Sequence, residues 1–264
     1  QEHYQQWWKL KKAMAVHYGL WDKHTKSFVE ALQNTNRSLY EFSGVGKNCR
    51  VLDAGCGVGG SSVFLANTCN ARATGITLSE RQLTFANQRI HELGLENKVD
   101  FKLEDYNQTS FPDETYDMIW AIESLTSAPD KQKFAREAYR VLKPGGVLVL
   151  ADYFKVEDSR DPNQYLEKWR RIWSLAPILT QKDFVSAIES GGFLLEVMED
   201  VTAGIFPTSR RMYYAALGGA LPTMVYNFFH DTSRFAKIHY KSGIYQYRAL
   251  KRGLWQYRFL RFRK

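Results

Sequence analysis

Between Arg50 and Phe154 the chain alternates short apolar runs rich in β-formers with longer stretches of helical periodicity. The order is "RVLDAG", a helix from about Gly60, "ARATGIT", a helix over 80–93, "KVDFKLED", "YDMIWAIES", a helix over 130–142, and "GVLVLADYF". Strand, helix and strand repeated in this way predict a parallel sheet covered on both faces. The Lys-Pro-Gly-Gly at 143–146 stops the third helix and turns the chain into the next strand. An irregular helical section to about Ala176 follows, then a helix from Thr180 to Ser190 capped by Thr180, then a strand at 193–200. The final "WQYRFLRF" alternates as a strand does, although Tyr247, Leu250, Leu254 and Tyr257 also have helical spacing; the strand is preferred. One uncharged stretch, 212–229 ("MYYAALGGALPTMVYNFF"), approaches membrane-span length, but Gly218, Gly219, Pro222 and Asn227 interrupt it. It reads as a buried or substrate-facing helical lid.

Composition narrows this picture. With 264 residues, 44% hydrophobic and 14% aromatic, the chain can bury one large core, and disorder is excluded as its general state. No internal repeat, low-complexity tract or Ser/Pro linker divides it. A single domain is expected: an N-terminal helical cap over 1–46, a cofactor-binding core over 47–154, and a C-terminal part over 155–264 with a lid at about 203–245. Cys49, Cys56 and Cys69 are an odd number without metal-type spacing, which fits structural thiols in a reducing, cytoplasmic setting and no metal site. The opening "QEHYQQWWKLKKAM" lacks the apolar core of a signal peptide.

The formal charge of +8 is unevenly placed. Ten Lys or Arg residues and no acid follow Asp231, leaving 26 basic against 28 acidic residues before that point. The body is nearly neutral, and the basic tail is a face for nucleic acid, anionic lipid or water.

"VLDAGCGVGG" (51–60) is the strongest chemical signal. An apolar strand reaches Asp53, and Gly55, Gly57, Gly59 and Gly60 then lead into a helix. Glycines here permit positive φ and let a ligand lie against bare backbone. Gly55, Gly57 and Gly60 match the dinucleotide fingerprint, so an NAD-dependent oxidoreductase is weighed. Two features oppose it: Asp53 sets a negative charge where a pyrophosphate would approach, and the second strand ends in Ile76-Thr77 without the ribose-binding acid. A cationic, amine-bearing ligand suits Asp53 better.

"VLDAGCGVGG", "ATGITLSERQ", "LEDYNQTSFPDETYD" and "RVLKPGG" together resemble the consecutive motifs of class I S-adenosylmethionine-dependent methyltransferases. "GITLSERQ" and "AIES" are similar to the branch holding sterol and tocopherol C-methyltransferases, cyclopropane fatty acid synthases and small natural-product methyltransferases. "HYGLWD" (17–22) resembles that branch's N-terminal aromatic segment, which closes over the cofactor. The resemblance implies a Rossmann-like, doubly wound α/β fold with a mostly parallel seven-stranded sheet, an N-terminal helical segment and a helical lid inserted before the last strand. It implies S-adenosyl-L-methionine as cofactor, S-adenosyl-L-homocysteine as product, and no metal.

Carried over by position, Gly55, Cys56, Gly57 and Gly59 form the loop along the methionine half, with Asp53 orienting the loop and the cofactor's ammonium. Thr77, Leu78 and Gln82 match residues flanking the ribose. Asp105 and Tyr106 match the pair beside adenine, where a carboxylate accepts from the exocyclic amine and an aromatic ring stacks. Ala121 is expected near the sulfonium, and Tyr18 is expected to reach the cofactor's carboxylate.

Alkyl transfer from a sulfonium needs alignment and exclusion of water; a hydroxyl acceptor also needs a general base. In related sequences the segment matching "IESLTSAPD" carries a histidine just before the small-residue-proline step, and here that position is Ser127. Glu123, at the C-terminal end of a parallel strand, is the best-placed carboxylate; its alternative role is a structural carboxylate holding the loop. Substitute histidines are His17 and His24 beside the closing segment and His230 and His239 in the lid, while His91 falls on a surface-type helix. Glu123, His17 and His230 are the catalytic candidates.

Trp169, Trp173, Tyr213, Tyr214, Tyr226, Phe228 and Phe229 load the lid region with aromatic surface, which suits a lipophilic acceptor such as an isoprenoid, sterol, quinol or tocopherol-like ring, methylated at carbon or phenolic oxygen. A dimer interface would use the same residues, so both monomer and homodimer are open. The alternatives are nucleic-acid modification through the basic tail, a polar amine or hydroxyl acceptor, and cofactor binding without catalysis. Nucleic acid is disfavoured by the neutral body. A basic tail can also meet an anionic membrane, where lipophilic substrates reside.

Overall fold

Strands β1 (Arg50–Ala54), β2 (Arg72–Thr77), β3 (Val99–Leu103), β4 (Tyr116–Ile122), β5 (Leu142–Lys155), β6 (Leu194–Asp200) and β7 (Trp255–Arg263) form one sheet in the order β3-β2-β1-β4-β5-β7-β6. This computed structural model describes residues 14–230 and 234–264. Strands β1 to β5 pair in parallel, and β7 runs antiparallel to both β5 and β6. The strand order reverses between β1 and β4, so a crevice opens beyond their C-terminal ends. The expected seven-stranded, mostly parallel, doubly wound sheet is therefore the fold.

Helix α1 (Phe28–Ser43) precedes the sheet, α2 (Gly60–Cys69) and α3 (Glu80–Leu93) join β1 to β3, and α4 (Lys131–Val141) joins β4 to β5. Helices α5 (Tyr165–Trp173) and α6 (Gln181–Glu189) lie between β5 and β6. Between β6 and β7 come α7 (Thr202–Phe229), α8 (Arg234–Ile238) and α9 (Tyr240–Lys251), the expected insertion before the last strand. The caps are those that sequence rules favour. Ser79 and Thr180 accept from Gln82 N–H and Asp183 N–H, which satisfies donors that the first turns of α3 and α6 leave open.

Alternating strand residues feed two cores. Val51, Trp120, Val149, Trp255 and Tyr257 pack on one face, and Leu52, Ile119, Leu148, Phe134 and Phe262 on the other. The terminal alternation is accounted for by β7, whose Tyr257 lies opposite Tyr153 of β5; the competing helical spacing belongs to α9, which ends at Lys251. The turn expected at 143–146 lies inside β5 as drawn by its pairing, and a register shift between Tyr116 and Met118 absorbs it.

The expected lid differs from its sequence reading. Helix α7 runs unbroken through Gly218, Gly219 and both Pro207 and Pro222. Pro222 and Gly218 are exposed, so water can take the carbonyl that the missing proline N–H leaves unpaired. The first half of α7 is held down, with Ile205, Thr208 and Ser209 buried. Its second half is exposed rather than buried, including Tyr226, Phe228 and Phe229. No described helix is long and apolar enough to cross a membrane.

The basic tail also changes meaning. Arg261 and Arg263 both pair with Glu196, at 3.0 and 2.9 Å, and Arg258 reaches Asp200 at 3.3 Å. Lys264 donates to the Leu142 carbonyl at 2.7 Å. Four of the ten tail cations thus help to close β7 against its neighbours.

Candidate active site

A cavity of about 580 Å³ occupies the crevice beyond β1 and β4. Its floor is the glycine loop. Gly55 has φ 85°, and a Cβ there would lie 2.5 Å from Ser124 Cβ, so only glycine lets the loop and the end of β4 approach. The Ser124 hydroxyl seals that approach by donating to the Ala54 carbonyl at 2.6 Å. Gly57 also has positive φ, 56°, but a Cβ there would meet nothing within 4 Å. Bare backbone therefore faces open space, as a ligand laid along the loop requires.

The second wall follows β2. Thr77 donates to Gln82 Oε1 at 2.8 Å, and Leu78 beside it is 72% exposed, an apolar surface with room for a ring or ribose against it. Glu104 and Tyr106 complete this side. Met14, Val16 and Tyr18 form the cover. That segment is clamped from both sides: Leu20 N–H donates to Ala31 O at 2.9 Å, and Trp21 N–H to Gly204 O at 2.8 Å. The Trp21 indole donates to Thr208 Oγ1 at 2.9 Å, tying the cover to α7.

Glu123 stands at the junction of the two halves. Its backbone is left-handed, φ 49°, a conformation that a glutamate adopts only when its surroundings impose it. Three contacts do so: Glu123 N–H donates to Ala151 O at 2.8 Å, and Oε1 accepts from Tyr18 N–H at 2.6 Å and the Tyr257 hydroxyl at 2.8 Å. Both side-chain bonds fall on Oε1, leaving Oε2 for the cavity. Burial raises this carboxyl to about 8; the bonds from Tyr18 and Tyr257 oppose the rise and the nearby Asp152 adds to it. Asp152, buried, is raised to about 6 by the same desolvation, against bonds from Thr126 and the Tyr153 N–H. Beyond Glu123 the walls turn aromatic and aliphatic: Tyr153, Trp169, Trp173, Leu175 and Met212.

Of the residues singled out from sequence, Tyr18, Gly55, Gly57, Thr77, Leu78, Gln82, Tyr106, Glu123, Trp169 and Trp173 line this cavity. The others lie elsewhere, each for a physical reason. Asp53 is buried beneath the loop, where it accepts from the Ser62 hydroxyl at 2.7 Å; burial raises it to about 7. Cys56 is buried against Ala66 and Phe101. Gly59 caps α2 with φ 87°, and a Cβ there would lie 2.3 Å from the Phe101 ring, so its task is close packing. Asp105 turns back on its own loop, accepting from Asn107 N–H at 2.8 Å. Strand alternation puts Ala121 in the core and Ile122 on the cavity wall.

The histidines also separate. His17 points away from the cavity that its neighbours Val16 and Tyr18 line; it is buried, bonds the Tyr18 carbonyl through Nδ1 at 3.0 Å, and burial lowers it to about 4. His230 stacks on Tyr226 at 4.0 Å in a separate surface depression. His24 and His91 are exposed. His239 lies edge-on to Trp173 at 4.9 Å, one ring back from the cavity. The Ser127 side chain, at the expected histidine position, lies outside the described residues. Tyr18 uses its hydroxyl on Gln246 at 2.8 Å, so it is the backbone N–H that serves the site through Glu123.

Tyr153 is a lining residue that the motifs do not mark, although its place near the C-terminal end of a parallel strand, like that of Glu123, is legible in the sequence. Tyr257 is not, because its partnership with Glu123 arises from antiparallel pairing across β5.

A family model described as a methyltransferase domain matches residues 52–150. The methyltransferase GfsG of Streptomyces halstedii is 39% identical over 229 residues, which span 84% of this chain and 82% of that protein. The 27-O-demethylrifamycin SV methyltransferase of Amycolatopsis mediterranei is 30% identical over 71% of this chain and 69% of its own. Among solved structures, a putative sarcosine dimethylglycine methyltransferase from Galdieria sulphuraria superposes with a TM-score of 0.80 over all of this chain and 98% of that one, at 20% identity.

Proposed function

We propose, for a chain that belongs to the class I S-adenosylmethionine-dependent methyltransferases, that its acceptor is a lipophilic small molecule methylated at an oxygen or carbon held beside Glu123. When bound, the cofactor supplies a methyl group activated on a cationic sulfur. The bare backbone at Gly57, the Thr77–Gln82 pair and the exposed Leu78 fit such a cofactor, and Tyr106 on the same wall would border its base. The division of labour follows the sheet: 47–154 holds the cofactor, and 155–264 with the cover segment encloses the acceptor.

The observation that carries the acceptor reading is the wall beyond Glu123, where Tyr153, Trp169, Trp173, Leu175 and Met212 present rings and aliphatic groups around one carboxyl. A carboxyl raised to about 8 is mostly neutral at pH 7, which suits an uncharged acceptor better than an ammonium-bearing one. With a hydroxyl acceptor, Oε2 of ionised Glu123 receives the proton as oxygen gains the methyl. Tyr18 N–H and the Tyr257 hydroxyl hold Oε1 and so orient Oε2. The rifamycin relative, whose name gives an oxygen acceptor on a natural product, supports the same class. Pairing of Arg258, Arg261 and Arg263 with Asp200 and Glu196 withdraws three tail cations from any nucleic-acid face.

A panel of phenols, quinols, isoprenoids, sterols and macrolides with radiolabelled cofactor tests the reading. Label transfer to at least one lipophile is expected; transfer only to nucleic acid, protein or small polar amines overturns it.

A further inference from the structure

The second half of α7 presents an apolar surface that no other described element covers. Leu221 is 67% exposed, Phe228 83% and Phe229 73%, and Met224, Val225 and Tyr226 are each at least half exposed. Together they flank a shallow depression lined by Leu221, Pro222, Val225, Tyr226 and Phe229. Scattered exposed apolar residues need no explanation, but a contiguous aromatic and aliphatic tip marks a place of association. We propose that this tip is a docking surface for an anionic lipid bilayer, into which it inserts shallowly without crossing.

Charge selects this occupant. From Val201 to Lys264 the chain has twelve Lys or Arg residues and a single acid, Asp231. With Arg258, Arg261, Arg263 and Lys264 engaged in closing β7, the other eight belong to the helical layer that carries the tip. Arg210, Arg248, Lys251 and Arg252 are exposed there. A second copy of this chain would set cations against cations, with no acid among the described residues of the layer to answer them. Anionic headgroups answer them directly, while the acyl region accepts the phenylalanines.

Continuity with the cavity is the second observation. Phe235 of α8, 46% exposed, lies 5.8 Å from Trp173 ring to ring, and Trp173 lines the cavity. His239 contacts both rings, at 4.7 and 4.9 Å. An exposed ring on the helix that follows the tip thus lies one aromatic step from the acceptor wall. This access route rests on the lipophilic-acceptor reading, whereas the docking surface does not.

Sedimentation of the full chain with vesicles of phosphatidylcholine, alone or mixed with phosphatidylglycerol, tests the proposal. The protein should sediment with the mixed vesicles, at least about tenfold less with the neutral ones and less again at high salt. The double variant Phe228→Ser/Phe229→Ser should lose at least about tenfold in binding to mixed vesicles. Because neither residue lines the cavity, its cofactor affinity by calorimetry should be unchanged, which shows that it folds. No sedimentation, or equal sedimentation of parent and double variant, overturns the proposal. So does light scattering that finds a dimer which the double variant dissolves, since the tip then belongs to a second copy. An acceptor panel in detergent, without vesicles, separates the two readings: no turnover there removes the acceptor assignment and leaves the vesicle result standing.

Discussion

The backbone N–H of Tyr18 donates to Oε1 of Glu123 at 2.6 Å, joining the cover segment to the tip of β4 across 105 residues of sequence. Closing the cover and orienting the carboxyl are therefore one event. A cover lifted off the cavity would leave Glu123 with a single side-chain bond, from Tyr257, and a weaker hold on its left-handed backbone.

Glu123→Gln is expected to lower turnover about a hundredfold or more while cofactor affinity changes less than about threefold, because an amide keeps the shape but cannot take a proton. Single-turnover kinetics and calorimetry on the same variant decide it. Equal losses in both would make Glu123 a binding residue, and no loss would leave it as the end of a strand.

Tyr257→Phe removes one of the two bonds that favour the ionised form of Glu123. The carboxyl then ionises later, and the acidic limb of the turnover profile should move to higher pH by roughly one unit. An unchanged profile would place the titrating base elsewhere.

Stability should fall as pH rises toward about 8, unopposed by His17 above about 6.5. Glu123 and Asp53 are raised to about 8 and about 7 by burial, so the folded chain holds protons that the unfolded chain has already released. Each contributes most of its stabilisation below its unfolded value and loses it as pH passes the folded value. His17, lowered to about 4 from 6.5, acts in the opposite sense, but only between those values. Melting temperatures from pH 6.5 to 8.5 should decline, and Glu123→Gln should flatten the decline above about pH 7.

The glycines of the loop should divide into two kinds. Gly59→Ala sets a methyl against the Phe101 ring at positive φ and should cost about 2–4 kcal/mol of stability. Gly57→Ala meets only open space and should cost about 1 kcal/mol, its main effect being weaker cofactor binding. Chemical denaturation and calorimetry on the two variants distinguish them.

Much of the fold was legible because hydrophobic periodicity is local. The alternation over 50–154 specified the parallel strands and their helices, and Thr180 announced α6 through a cap that needs only three neighbouring residues. Helix α7 was legible as a helix too short of apolar continuity to span a membrane; its burial was not legible, because anchorage of its first half lets the second half project into solvent.

Sequence alone determined the motif order, and with it the family, the cofactor and the crevice at which the chemistry sits. Tertiary structure decided which motif residues face that crevice: Gly57 does while Gly59 packs on Phe101, and Ile122 does while Ala121 is buried. It also brought Tyr18 and Tyr257 to the same oxygen of Glu123. A one-dimensional pattern records which residues share an element. Which of them meet depends on strand pairing and on chain segments folding back, and both are set by contacts far apart in sequence.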